Sequence, residues 1–281
     1  MIIVKKPDFL SDYIAMKKKS GPKINLVPTM GALHEGHITL IREAREAGGL
    51  VVCSIFVNPT QFNDLKDYQK YPKTLEKDID LLEENGNDIL FLPEAEDIYP
   101  TGTSNLETYE LGELEKVLEG KFRPGHFQGV CQVMRRILEI VKPDQLFMGQ
   151  KDYQQCMVIK RLISLMDASI KFFTVPTVRE KDGLAMSSRN LRLDASGKEN
   201  AAAIAESLQY IRKSIKPGEL SALKARATKI LEEKEFKVDY VELADADNLN
   251  IVKSWDGKQK LVALIAAFQN GVRLIDNLML G

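Results

Sequence analysis

His34-Glu35-Gly36-His37 places two of the chain's three histidines three positions apart, directly after Met30-Gly31-Ala32-Leu33. The run before them, Ile24 to Pro28, reads as a strand, and the stretch from His37 to Ala47 reads as a helix that stops at Gly48-Gly49. A strand-to-helix turn of this kind sits at the carboxyl edge of a parallel sheet, where unpaired N–H groups and the helix dipole favour an anion, usually a phosphate. Two imidazoles at this spacing can both reach such an anion, and Gly36 lets the backbone approach it closely. Two other readings stay open: a pair of surface groups in a turn, or zinc ligation, for which no Cys or third His stands nearby in sequence.

Three more clusters fall at predicted strand ends or loops. Met186-Ser187-Ser188-Arg189 follows Asp182-Gly183; adjacent hydroxyls and a guanidinium suit a polyanion, although alone the cluster reads equally as a solvated turn or helix cap. Taken with the histidine pair it points to ATP, cleaved between its α- and β-phosphates. Gly149-Gln150-Lys151-Asp152 precedes a helix and brings Lys151 to the same sheet edge, with Gln155 one turn further on. Asn58 and Gln61, in Phe56-Val57-Asn58-Pro59-Thr60-Gln61-Phe62, can bond a small polar substrate without adding charge; the competing reading is an Asn-Pro turn with a capping role.

These positions require a scaffold, and the first half of the chain supplies one. Predicted strands at Ile24–Pro28, Leu50–Val57, Asp88–Leu92, Asp144–Met148 and Ile170–Val175 alternate with amphipathic stretches, including Phe127–Val141 and Tyr153–Leu165. The fold class predicted is α/β: a Rossmann-like, doubly wound, parallel five-stranded sheet over residues 1–176. After Pro176 come helices over Ala195–Ile215 and Leu220–Glu233, then strands at Val238–Leu243, Lys260–Phe268 and Val272–Ile275. Residues 177–281 are therefore predicted as a smaller C-terminal α+β domain. The irregular segment 107–127 reads as a wall or lid.

Composition excludes several classes. In 281 residues, 39 Lys and Arg face 40 Asp and Glu, and a net charge of -1 lacks the basic excess of a general nucleic-acid binder. The longest apolar run, Leu261 to Phe268, is far too short to span a bilayer, so no membrane partner is expected. Met-Ile-Ile-Val-Lys-Lys-Pro-Asp lacks the apolar stretch of a secretory signal. Cys53, Cys131 and Cys156 are odd in number and widely spaced, predicting buried thiols and a reducing, cytoplasmic setting.

Five blocks together resemble the pantoate–β-alanine ligases (pantothenate synthetases) of the HxGH nucleotidylyltransferase superfamily. They are VPTMGALHEGH (27 to 37), SIFVNPTQF (54 to 62), RPGHFQGVCQV (123 to 133), LFMGQKDYQQ (146 to 155) and VPTVREKDGLAMSSRN (175 to 190). The resemblance implies that a pantoate carboxylate attacks the α-phosphorus of ATP, giving pantoyl adenylate and pyrophosphate, and that β-alanine then releases AMP. It places Met30, Gly31, Ala32, Leu33, His34, Glu35, Gly36, His37, Gly149, Gln150, Lys151, Asp152, Val178, Met186, Ser187, Ser188 and Arg189 on ATP. Within that set His37, His34 and Lys151 are catalytic, His37 as the acid on the pyrophosphate side. Gln61, Gln155 and Asn58 are assigned to pantoate and β-alanine. The same resemblance implies Mg2+ carried by the ATP phosphates rather than by a protein cage, a homodimer, and two domains that close over ATP.

Two features depart from expectation. Ala185-Met186-Ser187-Ser188-Arg189 lacks both lysines of the KMSKS motif of aminoacyl-tRNA synthetases, which disfavours a synthetase, and Gln150 stands where the family often has Glu. The histidine motif alone would also suit a plain nucleotidylyltransferase, which makes pyrophosphate but no AMP. A nucleotide sensor without turnover is the third reading.

Overall fold

Six apolar runs form one parallel sheet in the computed structural model, which describes residues 1–280. They are β1 (Ile2–Val4), β2 (Ile24–Thr29), β3 (Leu50–Ile55), β4 (Ile89–Phe91), β5 (Gln145–Gly149) and β6 (Lys171–Val175), in the spatial order β1-β4-β3-β2-β5-β6. Every neighbouring pair is parallel. The sheet thus has the α/β class read from the sequence and one strand more than the five predicted. The extra strand, β1, is three residues long and half-exposed at the edge, so it leaves no alternation or length in the sequence to mark it.

The helices on this sheet are α1 (Pro7–Lys19), α2 (Glu35–Glu46), α3 (Leu65–Gln69), α4 (Leu75–Glu84), α5 (Ala95–Ile98), α6 (Leu118–Phe122), α7 (His126–Val141) and α8 (Tyr153–Leu165). Alternate strand residues point to opposite faces, so the sheet builds two cores. Ile24, Leu26, Val52, Phe91 and Leu146 pack with Leu10 and Ile14 of α1, Phe127, Val130 and Met134 of α7, and Ile159 and Leu162 of α8. Val27, Val51, Cys53, Leu90 and Phe147 pack with Leu40, Ile41 and Ala44 of α2 and Leu82 of α4. Helices cover both faces, which is the doubly wound arrangement.

From β2 the chain runs outward through β3 to β4, then returns to place β5 on the other side of β2. That reversal is a topological switch point, the position at which open α/β sheets characteristically bind ligands beyond the carboxyl ends of their strands. Much of segment 107–127 is packed rather than loose. Tyr109, Leu111 and Leu118 are buried, and the Gln128 amide bonds both the N–H and the carbonyl of Tyr109 at 2.9 Å.

Residues from Thr177 onward, with Lys151–Gln154, cluster as a second compact unit apart from Met1–Gln150 and Gln155–Pro176. It contains α9 (Ala195–Ala201), α10 (Ala203–Ser214) and α11 (Ser221–Glu232). Its main sheet is antiparallel, in the order β11 (Val272–Leu280), β10 (Leu261–Gln269), β8 (Lys237–Asp245), beside a two-stranded piece of β7 (Gly218–Glu219) and β9 (Ser254–Trp255). Central β10 is buried along nearly its whole length. Ile204, Leu208 and Ile211 of α10 and Leu231 of α11 share the core with Leu243, Ile265 and Leu274. The helix predicted over Ala195–Ile215 is broken at Ala202, a break that Ala201-Ala202-Ala203 does nothing to signal.

All three cysteines are buried free thiols. Burial pushes Cys53 and Cys131 up to about 12, so neither forms a reactive thiolate near neutral pH. Among the described residues no helix is long and apolar enough to cross a membrane.

Candidate active site

The turn after β2 is built by a buried carboxylate that the sequence reading did not single out. Asp78 of α4 accepts from the backbone N–H groups of Ala32 and Leu33, each at 2.8 Å, and from the Thr74 hydroxyl at 2.9 Å. Gly31 and Ala32 take positive φ, +78° and +50°. At Gly31 a Cβ would meet Asp78 Oδ2 and Ile55 Cγ2, each at 3.1 Å. Ala32 and Leu33 are buried, so their contribution is the shape of the turn, while their N–H groups belong to Asp78.

His34 is the N-cap of α2, and the two imidazoles cap the helix together. His34 Nδ1 accepts from the Gly36 N–H at 3.2 Å, and His37 Nδ1 accepts from the His34 N–H at 3.3 Å. The rings lie 4.1 Å apart, centroid to centroid. An Nδ1 that accepts has no hydrogen, so in each neutral ring Nε2 is the N–H donor. The helix cap thus sets the tautomer of both candidates. Glu35 turns to Arg42, with which it pairs.

The amide pair after β3 is organised by α7. Asn58 is almost fully buried; its Nδ2 donates to Gln61 Oε1 at 3.1 Å and to the Gly129 carbonyl at 3.0 Å. Its Oδ1 accepts from the Tyr99 hydroxyl at 2.7 Å and the Thr60 hydroxyl at 3.1 Å. Both amide hydrogens are therefore spent inside the protein, and Asn58 faces Gln61 and Gly129. Gln61, half-buried, reaches Met30 with its Nε2 3.2 Å from Sδ, which joins the β3 loop to the β2 loop. Gly129 permits this packing, because a Cβ there would lie 2.4 Å from the Thr60 carbonyl oxygen.

At the end of β5, a Cβ on Gly149 would meet nothing within 4 Å, so the strand end borders open space. Gln150 follows, and Gln155 is half-buried in the first turn of α8. The imidazole pair, Gln61, Gly149, Gln150 and Gln155 thus belong to the carboxyl edge of one sheet, flanking its switch point.

The remaining candidates belong to the second unit. Lys151, 17% exposed at its side chain, lies 3.9 Å from Asp152 Oδ2. Its carbonyl accepts from Asn277 Nδ2 of β11 at 2.8 Å. Val178 and Met186 close a hairpin, the Met186 N–H donating to the Val178 carbonyl at 3.0 Å. Arg179 fixes that hairpin to β11 with a bidentate pair to buried Asp276, at 2.6 and 3.0 Å. Burial pushes the Asp276 carboxyl up while the Arg179 guanidinium pulls it down. Ser187 caps the short 3-10 turn Ser188–Arg192 by accepting from the Arg189 N–H at 3.3 Å; Ser188 is buried and Arg189 half-buried.

Sequence reasoning missed Asp78, Tyr99, His126, Arg179, Asp276 and Asn277. Each acts through partners remote in the chain, and the only available signals were polar residues inside apolar runs, as at Asp276 and Asn277.

The chain is similar to known proteins in sequence and fold. The sequence profile of the family described as pantoate-beta-alanine ligase matches residues 2–279. The chain belongs to the pantoate-beta-alanine ligase family. It is 43% identical to the pantothenate synthetase of Cytophaga hutchinsonii over 271 residues, covering 95% of each chain. To that of Aquifex aeolicus it is 42% identical over 280 residues, covering 98% of each. The crystal structure of pantothenate synthetase from Thermus thermophilus matches with a TM-score of 0.84 at 36% identity over 99% of both chains. The pantoate-beta-alanine ligase from Francisella tularensis, complexed with beta-gamma ATP and β-alanine, also gives 0.84, at 38% identity over 99% of this chain and 97% of that one. Membership in this ligase family makes the chain an enzyme.

Proposed function

We propose that the protein condenses pantoate with β-alanine at the expense of ATP, through a pantoyl-adenylate intermediate. The observation that carries this reading is the pair of imidazoles whose helix cap leaves Nε2–H as the donor on both rings, at the switch-point edge of a parallel sheet. Family membership and the nucleotide and β-alanine bound by the Francisella ligase support it.

A pantoate carboxylate oxygen attacks the α-phosphorus and the bond to the bridging oxygen of pyrophosphate breaks. His34 and His37 donate hydrogen bonds from Nε2 to phosphate oxygens whose negative charge grows as pyrophosphate leaves, His37 on the pyrophosphate side; with Nδ1 accepting in the helix cap, each neutral ring stabilises that charge without giving up a proton. Lys151 adds positive charge to the same oxygens, and Gly149, Gln150 and Asp152 line the nucleotide. Val178, Met186, Ser187, Ser188 and Arg189 are assigned to the nucleotide as well. Positioning and charge stabilisation of this kind are the main levers in nucleotidyl transfer. The β-alanine nitrogen then attacks the acyl carbon, loses a proton and expels AMP.

Gln61 and Gln155 hold pantoate by its hydroxyl and carboxylate groups, and Asn58 acts through Gln61, whose Oε1 it fixes. ATP enters with magnesium on its phosphate oxygens as one substrate. A homodimer in a reducing, cytoplasmic setting belongs to the same reading, and the free buried thiols fit that setting.

Purified protein given ATP, magnesium, pantoate and β-alanine is expected to form AMP and pantothenate in equal amounts. Folded protein that binds ATP yet makes neither product overturns the proposal.

A further inference from the structure

The third histidine has no part in the mechanism above, yet it is buried against Gln61. His126 Nδ1 lies 2.8 Å from the Gln61 carbonyl oxygen, and its Nε2 lies 3.1 Å from Arg123 Nη1. A guanidinium nitrogen only donates, so Nε2 accepts and Nδ1 carries the hydrogen. The tautomer is thereby fixed from both sides, and His126 is a donor to Gln61. Arg123 Nη2 reaches the same carbonyl at 3.4 Å, and Arg123 is itself paired with the buried Glu119 carboxylate at 3.5 Å.

Gln61 is thus gripped at two points. Its side-chain oxygen is held by Asn58, and its backbone carbonyl by the first residue of α7. The backbone grip decides where the side chain starts, and an error of about 1 Å at a reacting site costs on the order of a hundredfold in rate. We infer that His126 is a positioning residue whose Nδ1–H donation to the Gln61 carbonyl aims the Gln61 amide at pantoate. It touches no substrate. The inference rests on the ligase reading, with Gln61 in the pantoate pocket.

Three neutral substitutions separate this role from bulk or charge. In His126→Asn the side-chain amide N–H takes the place of Nδ1–H; in His126→Gln the amide extends toward Arg123 instead; His126→Ala has no donor. Steady-state kinetics of each, with ATP and pantoate varied in turn, give the readout. Loss of one hydrogen bond corresponds to roughly a five- to tenfold change in affinity. His126→Ala and His126→Gln should raise the pantoate KM by about that factor with the ATP KM within about twofold, and His126→Asn should recover most of it. Combined with Gln61→Ala, His126→Ala should add nothing further to the pantoate KM.

Equal pantoate KM values for Asn and Gln variants overturn the inference, and so does a rise in both KM values in parallel with a fall in Tm. The Asn and Gln comparison decides the matter if the Ala variant does not fold. Wild-type protein that makes no pantothenate sinks the ligase reading and this inference with it. Normal wild-type turnover with an unchanged pantoate KM in the variants sinks this inference alone.

Discussion

The side-chain amide of Asn277 donates to the backbone carbonyl of Lys151 at 2.8 Å, joining residues 126 positions apart. Through it the last strand of the chain fixes the backbone that carries the proposed phosphate-binding ammonium. The neighbouring residue, Asp276, holds Arg179 of the Val178–Met186 hairpin.

Replacing Asn277 by Ala removes this tie and should raise the ATP KM about fivefold, the equivalent of roughly 1 kcal/mol, with the pantoate KM little changed. Asn277→Asp, which sets a carboxylate against the Lys151 carbonyl, should be worse. Initial rates across an ATP titration check both.

The imidazoles cap α2 and also carry the proposed Nε2 donors, and substitution can divide the two. Asn is a good N-cap, so His34→Asn should hold the start of α2 and keep Tm close to wild type while removing the Nε2 donor. Pyrophosphate release from ATP and pantoate should fall roughly a hundred- to a thousandfold, as should that of His37→Ala. A His34→Asn protein with full pyrophosphate release would assign His34 to folding alone.

Asp78 accepts from three donors that shape the turn at Ala32 and Leu33. In Asp78→Asn one carboxylate oxygen becomes an NH2 facing an N–H, which leaves a buried donor unsatisfied at a cost of about 1 to 3 kcal/mol. Tm measured by calorimetry should drop, and the ATP KM should rise with it. An unchanged Tm would mean that the turn keeps its shape without this carboxylate.

Much of the fold was legible because its strands are continuous apolar runs, as in Val51-Val52-Cys53, separated by helices with one apolar face. His34, His37 and Gln61 were legible as candidates because their motifs are local. Their supports were not: Asp78 lies 45 residues from Leu33, and His126 lies 65 from Gln61. The last strand was predicted to stop at Ile275 and runs to Leu280. Asp276 and Asn277 break its apolar pattern, and the chain tolerates them because Arg179 and the Lys151 carbonyl satisfy them in place.

The thiols provide a test of the core that is independent of catalysis. With Cys53 and Cys131 pushed up to about 12 by burial, the thiolate fraction at pH 8 is about one in ten thousand. Native protein should resist iodoacetamide at pH 8, and denatured protein should take up three equivalents, one for each cysteine. Rapid labelling of native Cys53 would show that its strand is not packed as described.

The claim on which the mechanism turns is that pantoate attacks phosphorus before nitrogen attacks carbon. Pantoate labelled with 18O in its carboxylate tests it directly, by mass spectrometry of the AMP formed with β-alanine. Passage through an adenylate transfers one labelled oxygen to the phosphate of AMP. AMP that carries no label, formed alongside pantothenate, would contradict the account.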